Sequence, residues 1–400
     1  MKKLALLILL LVQHGLYGQS MFTKYLSAPV TDADYIVLMR QQEYLSTHNF
    51  ASPWLRELEF RLRSKDIDPG LEEYRIRLGL INPLEIRANK VYKQMLDKQM
   101  AANEQKLLND LMLNRYHVLI EYHYLSGKDS LLTQRKNELS NQQQAILDTK
   151  PDLKDLIALE DQITKIELEQ AELSEQFRLI QQTISRSVPG NYNTSSKLVT
   201  AKQVVDHIDT LTTQGYLVKE ALRDLELKMQ MQQIKKAEAF SNMGFVQGEY
   251  DKNRGNEVSE HLGFQVGLRV PIFNRDKPDL QRRELGMIDD QVKVETISEQ
   301  EAYQRDQIIS RMLGSYEQYR LLVQREEKLK QWLELYDQLS AEIDTYLKIS
   351  EFRYFLQERK LEYYSDLLSG YLEVLHLGGW LSQSPMQNYL NADKEYLSIE

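Results

Sequence analysis

The sequence predicts a mainly α-helical fold with a small β part, built from long coiled-coil-like helical hairpins and four short strands. Leu, Glu, Gln and Lys are abundant, whereas the 400 residues include only 17 Gly and 9 Pro, a composition typical of coiled-coil helices. No proline occurs between Pro278 and Pro385, so this stretch is free to form very long helices. Short segments elsewhere alternate apolar and polar residues, which indicates strands with one apolar face.

The N-terminal segment has the layout of a secretory signal peptide. Lys2 and Lys3 precede an apolar run from Leu4 to Val12, and small or polar residues follow it. A membrane-spanning helix needs about 20 apolar residues, so we expect a signal peptide over residues 1–18 rather than an anchor. The absence of cysteine excludes disulfides, thiolate metal sites and a lipid-modified Cys. The net charge of −9 disfavours nucleic acid as a partner.

Residues 19–188 form the first predicted repeat. A helix from Thr31 to about Asn49 comes first, because Thr31 is a good capping residue. Two alternating segments follow, at about 57–65 and 73–82, around the turn signal Asp68-Pro69-Gly70. Two such segments about a turn predict a β-hairpin.

A helical hairpin completes the first repeat. Its first arm begins after Pro83, with a break or bend expected at Gly127, and Pro151 marks the reversal. In the second arm, apolar positions recur alternately every three and four residues, which predicts an a/d seam packed along a neighbouring helix. The seam consists of Leu156, Leu159, Ile163, Ile166, Gln170, Leu173, Phe177, Ile180 and Ile184.

A loop-like linker over residues 189–203 separates this repeat from the second, at 204–384, and a C-terminal tail over 385–400 ends the chain. The elements predicted in the second repeat are a helix to about Phe240, strands at about 243–251 and 262–272, a long helix to about Leu347 and a return helix to about Leu377. The order of elements therefore repeats.

The two halves also match in sequence at a shift of 188 residues. Ile76, Leu78, Gly79, Leu80, Pro83 and Leu84 then coincide with Phe264, Val266, Gly267, Leu268, Pro271 and Ile272. The apolar face, a glycine and a strand-ending proline all fall at equivalent positions. We infer an internal duplication, with chance similarity between two ordinary hairpins as the alternative.

Four strands per chain are too few to close a barrel, and lipid cannot satisfy the edges of an open sheet. If the strands cross a membrane, several copies must pool them. Two copies give eight strands and a filled interior, and three give twelve and a channel. The apolar side would face lipid and the polar side an aqueous lumen. The predicted lipid-facing residues are Ile76, Leu78, Leu80, Phe264, Val266, Leu268 and Val270, and the lumen-facing residues are Arg75, Arg77, Gln265 and Arg269.

The segment from Gly267 to Phe273, GLRVPIF, resembles the strand end and Pro-apolar-aromatic triplet of the TolC-like outer membrane efflux protein family. Gly79 to Leu84, GLINPL, is a weaker version of the same motif. The order of elements from about Thr31 to about Gly379 is also similar to that family. The resemblance implies a homotrimer in which four transmembrane strands per protomer complete a shared 12-stranded β-barrel in the cell outer membrane, continuous with an α-barrel in the periplasm.

The resemblance also implies a function and partners. The trimer would be the exit duct of a tripartite efflux pump or a type I secretion system, exporting small molecules or polypeptides. Its partners would be a periplasmic adaptor (membrane fusion) protein and an inner-membrane pump. In the family the adaptor grips Gly-containing hairpin tips, and the candidate docking tips here, which contain no glycine, are Lys150, Pro151, Lys348, Ile349 and Ser350.

The sequence contains no pattern typical of an enzyme. A Gly-rich phosphate loop, a nucleophile elbow and an HExxH motif are all missing. His117 and His123 are six residues apart, so they do not share a helix face as i, i+4 metal ligands would. We therefore expect no catalytic, cofactor-binding or metal site.

Two other classes of protein stay open. The first is a soluble periplasmic coiled-coil adaptor or scaffold. The second is a single-chain outer-membrane barrel, which would need at least eight alternating segments of about ten residues. The aromatic residues Tyr363, Tyr364, Tyr371 and Trp380 are interpreted as helix-packing residues, with a membrane-interface belt as the alternative.

Overall fold

The protein is described by a computed structural model. It covers residues 21–48, 53–64, 72–149, 153–188, 198–208, 211, 215–239, 244–251, 262–268, 277–337, 343–392 and 395–397. The expected signal peptide therefore lies outside the described residues. In chain order the elements are α1 (Met21–Leu26), α2 (Ala33–Thr47), β1 (Leu55–Ser64), β2 (Glu72–Leu80), α3 (Pro83–Thr149), α4 (Leu153–Ser187), α5 (Ala201–Ile208), α6 (Tyr216–Ala239), β3 (Gly244–Asp251), β4 (Leu262–Leu268), α7 (Lys277–Asp337) and α8 (Ile343–Leu377). The predicted fold class, mainly helical with four strands, is confirmed.

The four strands form one antiparallel sheet in the order β1-β2-β3-β4. Its central pair joins the two halves of the sequence, because β2 pairs with β3 in a register that sets Ile76 opposite Gly248. Within the described residues, β1 and β4 are the sheet edges.

The chain divides into two compact units, and each takes segments from both halves of the sequence. Unit 1 comprises Met1–Asp32, Gln105–Gly215 and Glu301–Glu400, and unit 2 comprises Ala33–Glu104 and Tyr216–Gln300. The sheet belongs to unit 2. Residues 105–149 of α3, helix α4, the second hairpin end and the C-terminal segment belong to unit 1, whereas the first part of α3 belongs to unit 2.

Asn82 and Pro83 fix the passage from β2 into α3 in unit 2. The Asn82 carboxamide oxygen accepts a hydrogen bond from the Leu84 N–H at 3.0 Å, as expected of a helix N-cap, and Pro83 is the first helical residue. The Asn82 amide also donates to the Ala237 carbonyl at 3.4 Å, which ties this junction to α6. The proline that ends the predicted strand thus starts the helix.

The a/d seam predicted for α4 is confirmed in unit 1. Its buried members are Leu159, Ile163, Ile166, Leu173, Ile180 and Ile184. Leu132, Leu139 and Ile146, spaced by seven residues on α3, pack against the first three of these. The heptad spacing is therefore matched on both arms of the hairpin.

The remaining core of unit 1 gathers α1, α3, α5, α8 and the C-terminal residues around the fully buried Tyr116. The Tyr116 hydroxyl donates to the Gln387 carbonyl at 2.9 Å and accepts from the Tyr389 N–H at 3.1 Å. Residues 385–392 therefore include buried parts of the core, such as Leu390.

Two helix predictions need correction. α3 continues without a break through Gly127, where the glycine leaves room for a neighbour: a Cβ there would lie 2.8 Å from Leu361 Cδ2 on α8. The helix predicted from Val204 to Phe240 is divided, since α5 ends at Ile208 and α6 begins at Tyr216. The intervening threonines and Gly215 are poor helix formers.

Among the described residues, no helix combines the length and the apolar composition that crossing a membrane would require.

Candidate functional site

One face of the sheet is apolar across all four strands. The register aligns Leu58, Leu78, Val246 and Val266 in one row, and Phe60, Ile76, Gly248 and Phe264 in the next. A third row contains Leu62, Tyr74, Tyr250 and Leu262. Several of these side chains are strongly exposed, with 71% of Leu58 and 75% of Phe264 accessible. Together with the end row of Leu55, Leu80, Gly244 and Leu268, these three rows form what we call the apolar sheet face.

The opposite face carries charged and amide side chains. One row contains Glu59, Arg77, Gln247 and Gln265, and the next contains Arg61, Arg75, Glu249 and Gly263. Opposite charges pair across strands, since Arg75 lies 3.5 Å from Glu249 and Arg77 lies 3.9 Å from Glu59. These rows, together with the end row of Glu57, Gly79, Phe245 and Gly267, form the polar sheet face.

An aromatic side chain interrupts the polar sheet face. Phe245 lies between Gly79 on β2 and Gly267 on β4 in the register. A Cβ at Gly267 would lie 2.1 Å from Cε1 of the Phe245 ring, and the Arg77 guanidinium carbon lies 4.0 Å from the ring centroid. The ring therefore occupies the space that a Gly267 side chain would need, while a cation lies over its face.

The predicted sheet residues separate by face as follows. Arg75, Arg77 and Gln265 belong to the polar sheet face, and Ile76, Leu78, Leu80, Phe264 and Val266 belong to the other. Leu268 pairs with Gly244 as the last residue of β4, whereas Arg269 and Val270 lie outside the described residues.

Sequence reasoning missed several contributors to these faces, of which three are informative. Phe245 lies on the polar sheet face between Gly79 and Gly267, the two glycines that coincide in the sequence repeat. Glu59 and Glu249 supply the carboxylates opposite Arg77 and Arg75. Arg-Glu alternation within β1 and β2 was a signal for such pairs, but the pairing of β2 with β3 is not visible in the sequence.

The position predicted for the second hairpin tip needs correction. Lys348, Ile349 and Ser350 lie within α8, and the reversal falls between Asp337 and Ile343. Ser350 is buried and its hydroxyl donates to a Glu138 carboxylate oxygen at 3.1 Å, so it packs along α3. The segment from Tyr346 to Ser350 contains no helix breaker. Lys150 and Pro151 lie outside the described residues.

Histidines and aromatic residues on the helices have packing roles. Burial lowers the pKa of His123, whose ring meets the edge of Tyr364 with centroids 6.1 Å apart. Tyr371 is buried in the unit 1 core and hydrogen bonds His207 Nδ1 at 2.7 Å. The interpretation of Tyr371 as a helix-packing residue is thus supported. Among the described residues, no group of three His, Asp or Glu side chains is arranged to hold a metal ion.

Comparison with solved structures shows which proteins share this architecture. The open-state Neisseria gonorrhoeae MtrE outer membrane channel is 14% identical, with a TM-score of 0.62 over 91% of this chain and 90% of that chain. The outer-membrane channel OprN is 13% identical, with a TM-score of 0.63 over 91% and 90%. The Vibrio cholerae outer membrane protein VceC is 11% identical, with a TM-score of 0.61 over 90% and 95%.

The chain has the fold of TolC-like outer-membrane channels. No protein-family model and no curated protein sequence matches it. The fold that the resemblance implies is therefore confirmed from structure at low sequence identity.

Proposed function

We propose that the chain is an outer-membrane channel, the exit duct of a tripartite efflux pump or type I secretion system. It would assemble as a homotrimer in the cell outer membrane, with its helices extending into the periplasm. A periplasmic adaptor and an inner-membrane pump would deliver small molecules or polypeptides to it. It would act as a conduit, so its function would require a passage and a gate rather than catalytic residues.

The observation that carries this proposal is the sheet with two unlike faces and two open edges. An exposed apolar face of this extent is costly in water and favourable in lipid. The open edges at β1 and β4 need partners, because unpaired backbone groups are not tolerated in the hydrocarbon region. Pairing β4 of one copy with β1 of the next satisfies both edges, and three copies give the twelve strands of an open channel.

In such a barrel the apolar sheet face would meet lipid and the polar sheet face would line the lumen. The lipid-facing residues would be Ile76, Leu78, Leu80, Phe264, Val266, Leu268 and Val270, and the lumen-facing residues would be Arg75, Arg77, Gln265 and Arg269. The mutual pairing of arginines and glutamates on the polar sheet face keeps the lumen wall polar without a large excess of one charge.

Gating would reside at the hairpin ends. An adaptor that binds the open arrangement more tightly than the closed one shifts the population toward the open state, and only by that difference in affinity. Lys150, Pro151 and the reversal between Asp337 and Ile343 are the places where such a partner would dock. Lys348, which is exposed on the second turn of α8, is close to that reversal in sequence.

The test is the location, stoichiometry and conductance of the purified protein. We expect the full chain to fractionate with the outer membrane, to run as a heat-modifiable trimer in detergent and to form pores in planar bilayers. Release by osmotic shock as a monomer that does not bind bilayers would contradict the proposal and favour the soluble scaffold.

A further inference from the structure

Four helices of unit 1 lie side by side in the order α4, α3, α8, α7. Gln170 on α4 donates to Thr133 on α3 at 3.0 Å. Glu138 on α3 pairs with Arg353 on α8. Lys360 on α8 pairs at 2.5 Å with Glu326 on α7. Helices α4 and α7 are therefore the two outer members of this row.

The contacts also fix direction, because each adjacent pair of helices is antiparallel. As residue numbers rise along α8, from Arg353 to His376, the partner residues fall along α3, from Glu138 to Asn109. The same reversal holds between α8 and α7, where Lys360 meets Glu326 and Glu373 meets Arg311. It follows through α3 that α4 and α7 run in opposite directions.

Outer helix α4 carries a stripe of exposed residues on the side away from α3. It consists of Leu168, Glu172, Glu175 and Leu179, spaced by four, three and four residues, so all four share one helix face. Leu168 is 64% exposed and Leu179 is 54% exposed, whereas the neighbouring seam residue Leu173 is buried against α3. We call this the acidic stripe.

Outer helix α7 carries a stripe with the same spacing and the opposite charge. It consists of Leu321, Arg325, Lys328 and Trp332, again separated by four, three and four residues. Leu321 is 52% exposed and Trp332 is 55% exposed. Within the described part of the chain, none of the four charged side chains of the two stripes has an ionic or hydrogen-bond partner. We call this the basic stripe.

The two stripes lie at the same level, as cross-row contacts show. Lys128 on α3 contacts Glu169 on α4 at 2.6 Å and Glu358 on α8 at 3.2 Å. Two residues beyond Glu358, Lys360 contacts Glu326 on α7. Glu169 is therefore level, within about one helical turn, with the segment that contains Arg325 and Lys328.

An aromatic row gives a second measure of the same level. Phe177 on α4 stacks on Tyr122 of α3 with centroids 5.0 Å apart, and Tyr364 of α8 lies 6.1 Å from His123 and 6.0 Å from Tyr319 of α7. Phe177 is thus level with Tyr319 to within about one turn. Leu179 and Leu321 each lie two residues further along antiparallel helices, so these ends of the two stripes are level to within about four residues, roughly 6 Å.

We propose that the acidic stripe of one copy docks on the basic stripe of the next. Copies related by rotation about an axis along the helices are not displaced along it, so residues at equal levels meet and the helices stay antiparallel. The spacing reads the same in both directions, so Leu168 meets Trp332, Glu172 meets Lys328, Glu175 meets Arg325 and Leu179 meets Leu321. This contact closes the row of helices into a ring. The inference rests on the proposed function, a trimeric channel.

The chain's lack of native cysteine allows a test by cross-linking. In full-length protein, two matched variants, Leu168→Cys with Trp332→Cys and Leu179→Cys with Leu321→Cys, should give covalent dimers and trimers upon oxidation or with a short bis-maleimide. The mismatched combinations, Leu168→Cys with Leu321→Cys and Leu179→Cys with Trp332→Cys, use the same four positions. In these combinations the two thiols are separated by eleven residues along the helix axis, about 16 Å, so they should not cross-link.

The outcomes of this experiment distinguish a failure of the docking inference from a failure of the proposed function. Heat-modifiable trimers in which matched pairs do not cross-link, or in which mismatched pairs cross-link equally, overturn the docking while leaving the channel intact. If the unsubstituted protein is monomeric, both the docking and the proposed channel are overturned. Cross-linking of the matched pairs alone supports the docking and its register.

Charge reversal gives an independent readout. Glu172→Lys with Glu175→Lys should greatly reduce the trimer fraction at low salt, and adding Arg325→Glu with Lys328→Glu in the same chain should restore it, because every interface regains opposite charges. Glu327→Lys with Glu334→Lys, on another exposed face of α7, reverses the same number of charges and should leave the trimer unchanged. Equal loss in this control, or no restoration in the fourfold variant, overturns the pairing.

Discussion

Gly267 shows how a single missing side chain can decide the packing of a strand. The Phe245 ring lies where its Cβ would be, and the Arg77 guanidinium lies over the face of the same ring. Gly79 flanks the same ring on β2. The two glycines that match in the sequence repeat thus border one aromatic residue, and an aromatic ring over strand glycines replaces the side-chain packing that glycine cannot provide.

Alanine at Gly267 should therefore destabilise the assembled protein. The ring must leave its position, which costs roughly 1–3 kcal/mol in a filled site. The measurement is the temperature at which the heat-modifiable trimer dissociates, which we expect to fall. Gly248→Ala, a strand glycine with open space around it, is the control and should have no such effect. Combining Phe245→Ala with Gly267→Ala should cost less than the two separate changes together, and simple additivity would argue against the contact.

The Tyr116 hydroxyl is the hydrogen-bond partner of two backbone groups in the unit 1 core. Phenylalanine at this position keeps the ring but leaves the Gln387 carbonyl and the Tyr389 N–H without their buried partner. We expect a loss of about 1–3 kcal/mol in the free energy of unfolding, measured by thermal or denaturant unfolding. Tyr303→Phe, at a side chain that is 65% exposed, serves as the control and should be neutral.

The same tyrosine predicts the response to alkaline pH. Burial raises the pKa of Tyr116 above its ordinary value of about 10, so the folded chain retains a proton that the unfolded chain loses. Stability is then fully present below pH about 10 and falls as the pH rises above it. Tyr116→Phe should make this decline shallower, with Tyr371, whose pKa burial also raises, accounting for part of the remainder. An unchanged slope in the variant would contradict this assignment.

At the scale of elements, the sheet is governed by the alternation of its strands. Side chains two apart share a face, so Val266 and Gln265 lie on opposite faces although they are adjacent in sequence. Both are exposed in the single chain. Solvent exposure in one copy therefore does not distinguish the two residues. In the proposed assembly they differ, because Val266 would face lipid and Gln265 would face the aqueous lumen.

Arginine substitutions on β4 test those surroundings. Val266→Arg places a charge on the face proposed to meet lipid, which costs about 2–4 kcal/mol near the middle of a bilayer, whereas Gln265→Arg stays in an aqueous lumen. We expect Val266→Arg to block assembly of the heat-modifiable trimer in the outer membrane and Gln265→Arg to assemble normally. Equal behaviour of the two variants would refute the proposed facing.

The helical elements show which features a sequence can reveal. The seam of α4 was predictable because its 3-4 spacing is local and its partner, the other arm of the hairpin, carries the same heptad spacing. The break expected at Gly127 is not found, because the glycine makes room for Leu361 on α8, which lies far along the chain and cannot be identified as its neighbour from the sequence. The end of α7 was misplaced because neither glycine nor proline marks the reversal between Asp337 and Ile343.

At the scale of the whole molecule, the repeats in the sequence are not the units of the fold. The strands β2 and β3 belong to different halves of the sequence yet pair along their length. Helices α3 and α8 also come from different halves, and Asn109 donates to the His376 carbonyl at 2.8 Å between them. Each compact unit therefore needs both halves, which periodicity within one half could not indicate.

A chain divided between residues 192 and 193 tests this dependence. Expressed alone, each half should fail to give a stable protein, because its sheet lacks the β2 to β3 pairing and its long helices lack their partners from the other half. Co-expressed, with a signal peptide supplied to the second half, the two should reconstitute the heat-modifiable trimer and its conductance, since the cut falls in the predicted linker. A first half that forms the trimer without the second would show that the repeat folds independently, contrary to the two interleaved units.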